Sequence, residues 1–376
     1  MRIAYLLYWL DGPQSGVFKK VMGQLDQWKQ RGHEIKLFLL SAADSHLSQA
    51  LQTVAQHQAL VTLTNFDIFL FRSLVERLQV IASMGQQVRR WNPDLIYCRK
   101  TTYHPALKKL ASDIPLVVEI NSDDVAELRS SSKVRQYANQ VTRTWFFKTA
   151  TGFVCVTSEL ASNPRFASFG KPTAVIANGI AQGEYPTLPP TSNRHPRLVF
   201  IGSQRQRWHG VDKIVGLATS LRRWHFDLVG LYPHDLPSLP TTLPNVTFHG
   251  HLEPSRYEHI MREADVAIGT LALHRTCMDE ACPLKVREYL TYGLPTIIGY
   301  KDTDFPESVP FLLQLANNED NVQKGQLAIK EFVQKWRGRR VCRDAVQHLD
   351  AGQKEMHRLA FMQSLLQPGC EFGTTP

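Results

Sequence analysis

The chain is predicted to be an α/β protein of two domains, each a parallel sheet flanked by helices. Short apolar runs alternate with segments of helical periodicity from residue 2 onward. The alternation breaks at Tyr185–Pro196, which has four prolines in twelve residues, and then restarts. A length of 376 residues also exceeds one ordinary core. The expected division is 1–184, a linker at 185–196, 197–350, and a last helix from 351 to 376 that returns to the first domain.

The first domain opens with the apolar strand Ile3–Tyr8, the loop Asp11–Gly16 and a helix with Val17, Val21, Leu25 and Trp28 at helical spacing. Gly32 closes that helix and Ile35–Leu40 is the next strand, completing a βαβ unit. Gly12 and Gly16 let backbone approach a ligand or simply make a tight turn, since G-x-G-x-x-G spacing is absent. Leu51 to Trp91 reads as helical. Leu95–Tyr97 then delivers Cys98–Tyr103, including Arg99, and Leu116–Ile120 delivers Asn121–Asp124. Ligands of open α/β sheets collect outside the carboxyl ends of strands, so both loops, with Arg99 and Asp123, are candidates to bind an acceptor. Asp123 and Asp124 also suit the N-cap of the following helix. That helix carries Lys133, Arg135, Arg143 and Lys148, read as a solvated face. Gly152–Val156 is the last clear strand before the linker.

Beyond the linker come strand Leu198–Ile201, loop Gly202–Gly210 with Ser203, Arg205, Arg207 and His209, a helix from Val211, and strands Phe226–Val229 and Val246–Phe248. A helix after Pro254 and strand Val266–Ile268 follow, then Glu280–Gly293 and strand Thr296–Ile298. In the helix near Glu280, Pro283 suits the first turn and Gly293 the left-handed stop. The N–H groups of Leu284 and Lys285 point outward at a positive dipole end, which binds phosphate. Glu280 and Glu288, about 12 Å apart if the stretch is helical, could accept hydrogen bonds from diols on either side of it. The plain alternative is a capping Glu280 and a solvated Glu288. Ala351–Leu366 reads as a helix with Met356, Leu359, Ala360 and Met362 available for packing.

Composition is that of a soluble globular protein, 43% hydrophobic and 20% charged, with no uncharged run long enough to cross a bilayer and no export signal. The six scattered cysteines lack a C-x-x-C pair and read as reduced cytoplasmic thiols. His274, Cys277 and Cys282 lack a fourth ligand and a usual spacing, so no metal is assigned to them. A formal net charge of +9 implies anionic partners. Nucleic acid is not among them, for want of a recognised motif, whereas Lys335–Arg340 offers a peripheral contact with an anionic membrane at its cytoplasmic face.

Taken together, the motifs resemble those of GT-B glycosyltransferases of the retaining group called family 4. Glu280–Glu288 with Gly293-Leu-Pro295 is similar to that family's Glu-x7-Glu block, and Phe200-Ile-Gly202 to His209-Gly-Val-Asp212 to its phosphate loop. Ala177-Asn-Gly-Ile180 is similar to its Asn-Gly-Val signature, and Arg2–Gly16 with Arg31-Gly-His-Glu34 to its first βαβ. The resemblance runs over nearly the whole chain and is weakest from about Asn317. It implies two Rossmann-like domains facing a cleft. It also implies transfer of a hexosyl group, with retention, from a nucleotide-diphosphate sugar to the hydroxyl of a saccharide or lipid-linked acceptor. Glu288 would hold the donor ribose, Glu280 the hydroxyls of the transferred sugar, and Cys282, Pro283, Leu284 and Lys285 the pyrophosphate, with Gly16 approaching from the other domain.

Two departures stand out. Ser203 and His209 occupy places where the family supplies Arg and Lys, so Arg205 or Arg207 must compensate. Asn121 replaces a His, and an amide can hydrogen-bond sugar without acting as an acid or base. A donor-binding protein without turnover and a nucleotide-sugar epimerase therefore stay open as alternatives. No cofactor is expected, the nucleotide-sugar being a co-substrate. Charge on the departing phosphate would be met by Lys285, the helix end and the basic loop without a metal. Asp302-Thr-Asp304 offers the D-x-D of metal-dependent enzymes of another fold, but lies in a loop after the last clear strand.

Overall fold

The computed structural model describes residues 1–9, 16–42, 59–63, 70–99, 105–128, 132–204, 206–236, 243–252 and 254–367. Gly12, the loop 100–103, Arg205 and Cys370 lie outside the described residues. The chain forms two compact units, Met1–Ala177 with Ala351–Pro376, and Asn178–Asp350.

The first unit holds a seven-stranded sheet of β1 (Arg2–Trp9), β2 (Glu34–Ala42), β3 (Ala59–Leu63), β4 (Leu95–Arg99), β5 (Leu116–Ile120), β6 (Gly152–Cys155) and β7 (Thr173–Val175), in the order β3-β2-β1-β4-β5-β6-β7. Neighbouring strands are parallel throughout, so the interior strands read as apolar runs, not as alternations. The strand order reverses between β1 and β4, a topological switch point. The helical reading of 51–91 is corrected at 59–63, while 51–58 and 64–69 lie outside the described residues. Ala59–Leu63 is an edge strand beside β2, and helix Leu70–Trp91 begins after it. Its Val-Thr step is β-branched and suits a sheet edge, a signal that the helical spacing further on obscured.

The closing helix Ala351–Leu366 is part of the first unit. Its Phe361 and Met362 join the core of β1, β4 and helix Gly16–Gln30, and Gly152 leaves room for Leu365, which a Cβ there would meet at 2.7 Å. Its buried polar residues are Glu355 and Arg358, while Met356 and Ala360 are exposed, contrary to the packing role expected for them.

The second unit repeats the order. Strands β8 (Arg197–Ile201), β9 (His225–Val229), β10 (Val246–Gly250), β11 (Val266–Ile268), β13 (Thr296–Ile298) and β15 (Leu312–Gln314) form a parallel sheet ordered β10-β9-β8-β11-β13-β15. A small ladder pairs β12 (Glu280–Ala281) with β14 (Lys301–Asp302). The division between units falls after Ala177, ahead of the proline-rich stretch. That stretch is packed on the second unit. Leu188 is buried and its N–H donates to Tyr292 O at 3.0 Å, Tyr185 meets Tyr292 edge-on, and Arg340 Nε donates to Pro189 O at 2.9 Å. Prolines that cannot join a ladder are instead held by carbonyls and an apolar anchor.

Candidate active site

The helix Leu284–Thr291 is organised as the sequence demands, with its start one residue later than expected. Pro283, φ −64° and ψ 136°, is the N-cap and supplies no side-chain hydrogen bond; its carbonyl accepts from Val286 N–H at 3.1 Å, leaving the N–H groups of Leu284 and Lys285 without an intrahelical acceptor. At the other end Leu294 N–H donates to Tyr289 O at 2.8 Å and Gly293 N–H to Leu290 O at 3.0 Å, with Gly293 at φ +87°. That pair of bonds is the Schellman stop, and it needs a residue tolerant of the left-handed region. Residues 280 and 281 are strand, so the spacing of a continuous helix does not apply between Glu280 and Glu288.

Glu288 lies in the second turn and accepts from Tyr257 Oη at 2.7 Å. Burial, and then the Glu288 charge, raise the Tyr257 phenol above its ordinary range, so it stays a donor. Glu280 is half-buried on β12, paired with Lys301 in the ladder. Arg287, wholly buried, donates to both oxygens of Asp302 at 2.5 and 2.7 Å and to Asp304 at 2.6 Å. The D-x-D pair is thus committed to a guanidinium. Cys282 is also buried, its thiol pushed up to about 11 chiefly by burial, and its carbonyl accepts from Asn178 Nδ2 at 2.9 Å. Asn178 therefore ties the Asn-Gly motif to the approach of the helix, with Arg287 Nε donating to its carbonyl at 3.4 Å.

The loop after β8 meets this helix at the carboxyl edge of the sheet. Ile201 N–H donates to Tyr289 Oη at 2.7 Å. The loop is locked to the one after β11 by Leu271 N–H to His209 O at 3.1 Å and Ala272 N–H to Trp208 O at 3.1 Å. Gly210, at φ +69°, then caps helix Val211–Ser220, and a Cβ there would touch the Cβ atoms of Leu271 and Ala272 at 3.0 and 3.2 Å. Gly202 is required by packing, since a Cβ would fall 2.4 Å from the Phe200 ring. Ser203 is exposed, with its backbone hydrogen-bonded to His209. Arg207 is exposed, and its carbonyl accepts from Arg275 Nη1 at 3.1 Å and from Gly210 N–H at 3.3 Å.

Lys285 projects from the first turn with its ammonium 4.3 Å above the centre of the Phe200 ring. Its stem is partly exposed, whereas Nζ is buried and has no hydrogen-bond partner among the described residues. Burial pushes this amine down to about 7. His209 stands beside it, and burial followed by the Lys285 charge pushes the imidazole down to about 2, so it is neutral. Lys285 is the basic side chain beside His209, at the mouth of the helix. Phe200 beneath Lys285 and Tyr257 against Glu288 went unread in the sequence, because aromatic residues of a strand and of an amphipathic helix look like core.

In the first unit Asn121 follows β5 and has both ends of its amide engaged. Its Oδ1 accepts from Lys20 Nζ at 3.2 Å and its Nδ2 donates to Glu119 Oε1 at 2.9 Å. Lys20 also reaches Glu119 at 2.8 Å, Arg99 lies 4.0 Å from it, and Tyr97 and Gln24 donate to its other oxygen at 2.6 and 3.3 Å. Burial alone would raise the Glu119 carboxyl, but Lys20, Arg358 and Arg99 hold it well below the usual range. Glu355 accepts from Trp28 Nε1 at 2.7 Å and from Arg358 Nε at 2.9 Å, carrying the network into the closing helix. Asp123 caps helix Asp124–Glu127 through Val125 N–H at 3.0 Å and pairs with Arg165, so its carboxylate is engaged within the fold. Gly16 is exposed at the start of helix Gly16–Gln30.

His274, Cys277 and Cys282 do not gather. His274 Nε2 meets Glu319 at 2.6 Å, and among the described residues no three His, Cys, Asp or Glu side chains form a group able to hold a metal. Among the same residues no helix is long and apolar enough to cross a membrane.

This architecture recurs in solved enzymes at low identity. A sucrose-phosphate synthase from Thermosynechococcus elongatus matches with TM-score 0.67 and 13% identity, over 97% of this chain and 98% of its own. The lipopolysaccharide outer core galactosyltransferase WaaB matches with TM-score 0.68 and 11% identity over 97% and 99%. Anabaena HepE, solved in complex with UDP and glucose, matches with TM-score 0.66 and 16% identity over 97% and 100%. The fold is that of the two-domain GT-B proteins. Residues 15–184, somewhat under half of the chain, match the sequence model described as Glycosyltransferase Family 4. No curated protein sequence matches it significantly.

Proposed function

We propose that the second unit binds a nucleotide-diphosphate sugar and that the protein transfers its hexosyl group to a hydroxyl acceptor with retention and without a metal ion. The observation that carries this reading is the convergence of a free helix N-terminus, a buried unpartnered ammonium and a glycine-shaped loop at one sheet edge. The pyrophosphate lies against Leu284 and Lys285. Glu288 accepts from the ribose hydroxyls with Tyr257 holding its other side, and Glu280 accepts from the sugar. As the anomeric bond breaks, charge gathers on the departing phosphate, where Lys285 and the helix N–H groups meet it. Asp302 and Asp304 are spent on Arg287, which supports the metal-free route. Retention rests on the likeness to a retaining family. The acceptor is a saccharide or a lipid-linked hydroxyl.

A second reading, donor binding without transfer, is favoured by Asn121, whose amide is occupied at both ends. Incubation with UDP-, GDP- and ADP-sugars separates the two readings. One donor should release its nucleoside diphosphate, and proton NMR should show the free sugar first in the anomeric form of that donor. Release of the opposite anomer contradicts retention. No release from any donor contradicts transfer, and a changed sugar still on its nucleotide would mark an epimerase.

Lys285 also makes donor binding depend on pH. Its amine ordinarily titrates at 10.5 and in the empty fold at about 7. Below pH 7 both folded and unfolded chains hold the proton and the burial penalty is in force, and stability rises between pH 7 and 10.5 as the folded amine sheds it. A bound pyrophosphate restores the charged form. Donor affinity should therefore fall as pH rises above 7, by up to about tenfold per unit. Calorimetry at pH 8 in two buffers of different ionisation enthalpy should show proton uptake on binding, whereas zero uptake contradicts this role for Lys285.

A further inference from the structure

In the first unit, one face of the sheet gathers charge at the edge where parallel sheets receive their ligands. Arg99 closes β4 level with Glu119 on β5, next to the switch point between β1 and β4. Lys20, from the second turn of helix Gly16–Gln30, and Asn121, immediately after β5, complete that edge.

The charges in this cluster do not balance. Among the described residues three cations, Lys20, Arg99 and Arg358, meet two carboxylates, Glu119 and Glu355. Glu119 is saturated, since Lys20 at 2.8 Å, Asn121 at 2.9 Å, Tyr97 at 2.6 Å and Gln24 at 3.3 Å all donate to it. Glu355 is engaged by Trp28 and Arg358. That leaves Arg99, whose nearest carboxylate oxygen lies at 4.0 Å, beyond hydrogen-bond reach, and whose guanidinium donates to no described residue. Its side chain is 19% exposed, against 5% for Lys20 and 0% for Arg358, so of the three cations it is the one a ligand can reach. Lys20 Nζ gives two of its three protons to Glu119 and Asn121 and keeps one. Both cations approach the same Glu119 Oε1, at 2.8 and 4.0 Å, which puts them close enough for a single oxyanion to touch both.

We propose that this edge holds an anionic group of the acceptor, a phosphate or a carboxylate, with Arg99 as its principal contact and Lys20 as the second. A largely buried cluster with one cation in excess is stabilised by an added anion, and the planar fork of a guanidinium matches the paired oxygens of either group. A neutral sugar would accept the same hydrogen bonds without supplying the counter-charge. Naming the ligand an acceptor rests on the transferase reading, whereas the anion site rests on the cluster alone.

Ligand-observed NMR on the full chain tests the assignment, with glucose 6-phosphate, glucuronate and glucose as probes. At least one anionic sugar should bind the wild-type protein and glucose should not, and the anion that binds names the group the acceptor carries. Arg99→Met should weaken that binding at least about tenfold, and Arg99→Lys should restore part of it. Lys285→Met and Glu288→Ala should bind the anionic sugar as the wild type does, which separates this site from the donor's. Because Arg99 is the surplus cation, Arg99→Met should unfold at or above the wild-type temperature, and the bound sugar should raise the midpoint of the wild type but not of the variant. Failure of both anionic sugars to bind the wild type overturns the proposal, as does equal binding to Arg99→Met. Loss of binding in Lys285→Met would put the anion in the donor site and also overturns it. A lowered midpoint in Arg99→Met with binding unchanged would make Arg99 a structural partner of Glu119, with the same consequence. If no nucleotide-sugar binds while the anionic sugar still binds through Arg99, the transferase reading and the acceptor assignment fall together and the anion site stands.

Discussion

Replacement of Arg287 by methionine is expected to destabilise the second unit by about 3–5 kcal/mol, read as the shift in a chemical denaturation curve. The guanidinium is fully buried and bonded to two carboxylates, Asp302 and Asp304, that are themselves almost wholly withdrawn from water. Methionine fills a similar volume but leaves two anions without a counter-charge, and that desolvation, not the lost attraction, dominates the effect. Arg287 also lies one turn into the helix that presents Lys285, so its loss should weaken donor binding as well. Adding Asp302→Leu and Asp304→Asn should recover much of the stability, because removing both partners of a buried pair is close to neutral. A destabilisation below about 1 kcal/mol for Arg287→Met would mean the cluster is more hydrated than its burial indicates.

Lys285→Met should show the opposite pattern. Loss of one positioned donor to a developing anion typically costs about 10²–10³-fold in kcat, so turnover at saturating donor should fall by that factor. Stability of the empty protein at and below pH 7 should rise, since a buried ammonium without a hydrogen-bond partner is replaced by an apolar chain over Phe200. Paired measurements of kcat and thermal midpoint decide the point. Unchanged turnover, or a stability loss comparable with that of Arg287→Met, would make Lys285 a structural residue.

The legible parts of the chain are those where one local rule acts alone. Gly293 and Pro283 mark the ends of a helix whatever surrounds it, and buried parallel strands are apolar on both faces, so the sheets and the Glu280–Gly293 unit could be read directly. Residues 59–63 are an edge strand ahead of helix Leu70–Trp91, in a stretch where periodicity is ambiguous. The stretch 185–196 has the composition of a linker, yet Leu188 is buried and the carbonyls of Tyr185 and Pro189 and the N–H of Leu188 are bonded to residues more than a hundred positions away, Arg343, Arg340 and Tyr292. Long-range polar networks were equally silent. Lys20, Glu119, Glu355 and Arg358 look like surface charges on helices and a strand, and only the fold brings them together. Asp302 and Asp304 offered a motif, and the buried partner that uses them, Arg287, sits within the very block read for its two glutamates.

The central claim is that a nucleotide-diphosphate sugar occupies the second unit against Glu288 and Lys285. Ligand-observed NMR with UDP-, GDP- and ADP-sugars on the wild-type protein, Glu288→Ala and Tyr257→Phe tests it most directly. One donor should bind the wild-type protein, lose most of its affinity in Glu288→Ala, and keep much of it in Tyr257→Phe, which preserves the carboxylate. Binding that Glu288→Ala leaves untouched, or no binding of any donor to the wild-type protein, would contradict the assignment.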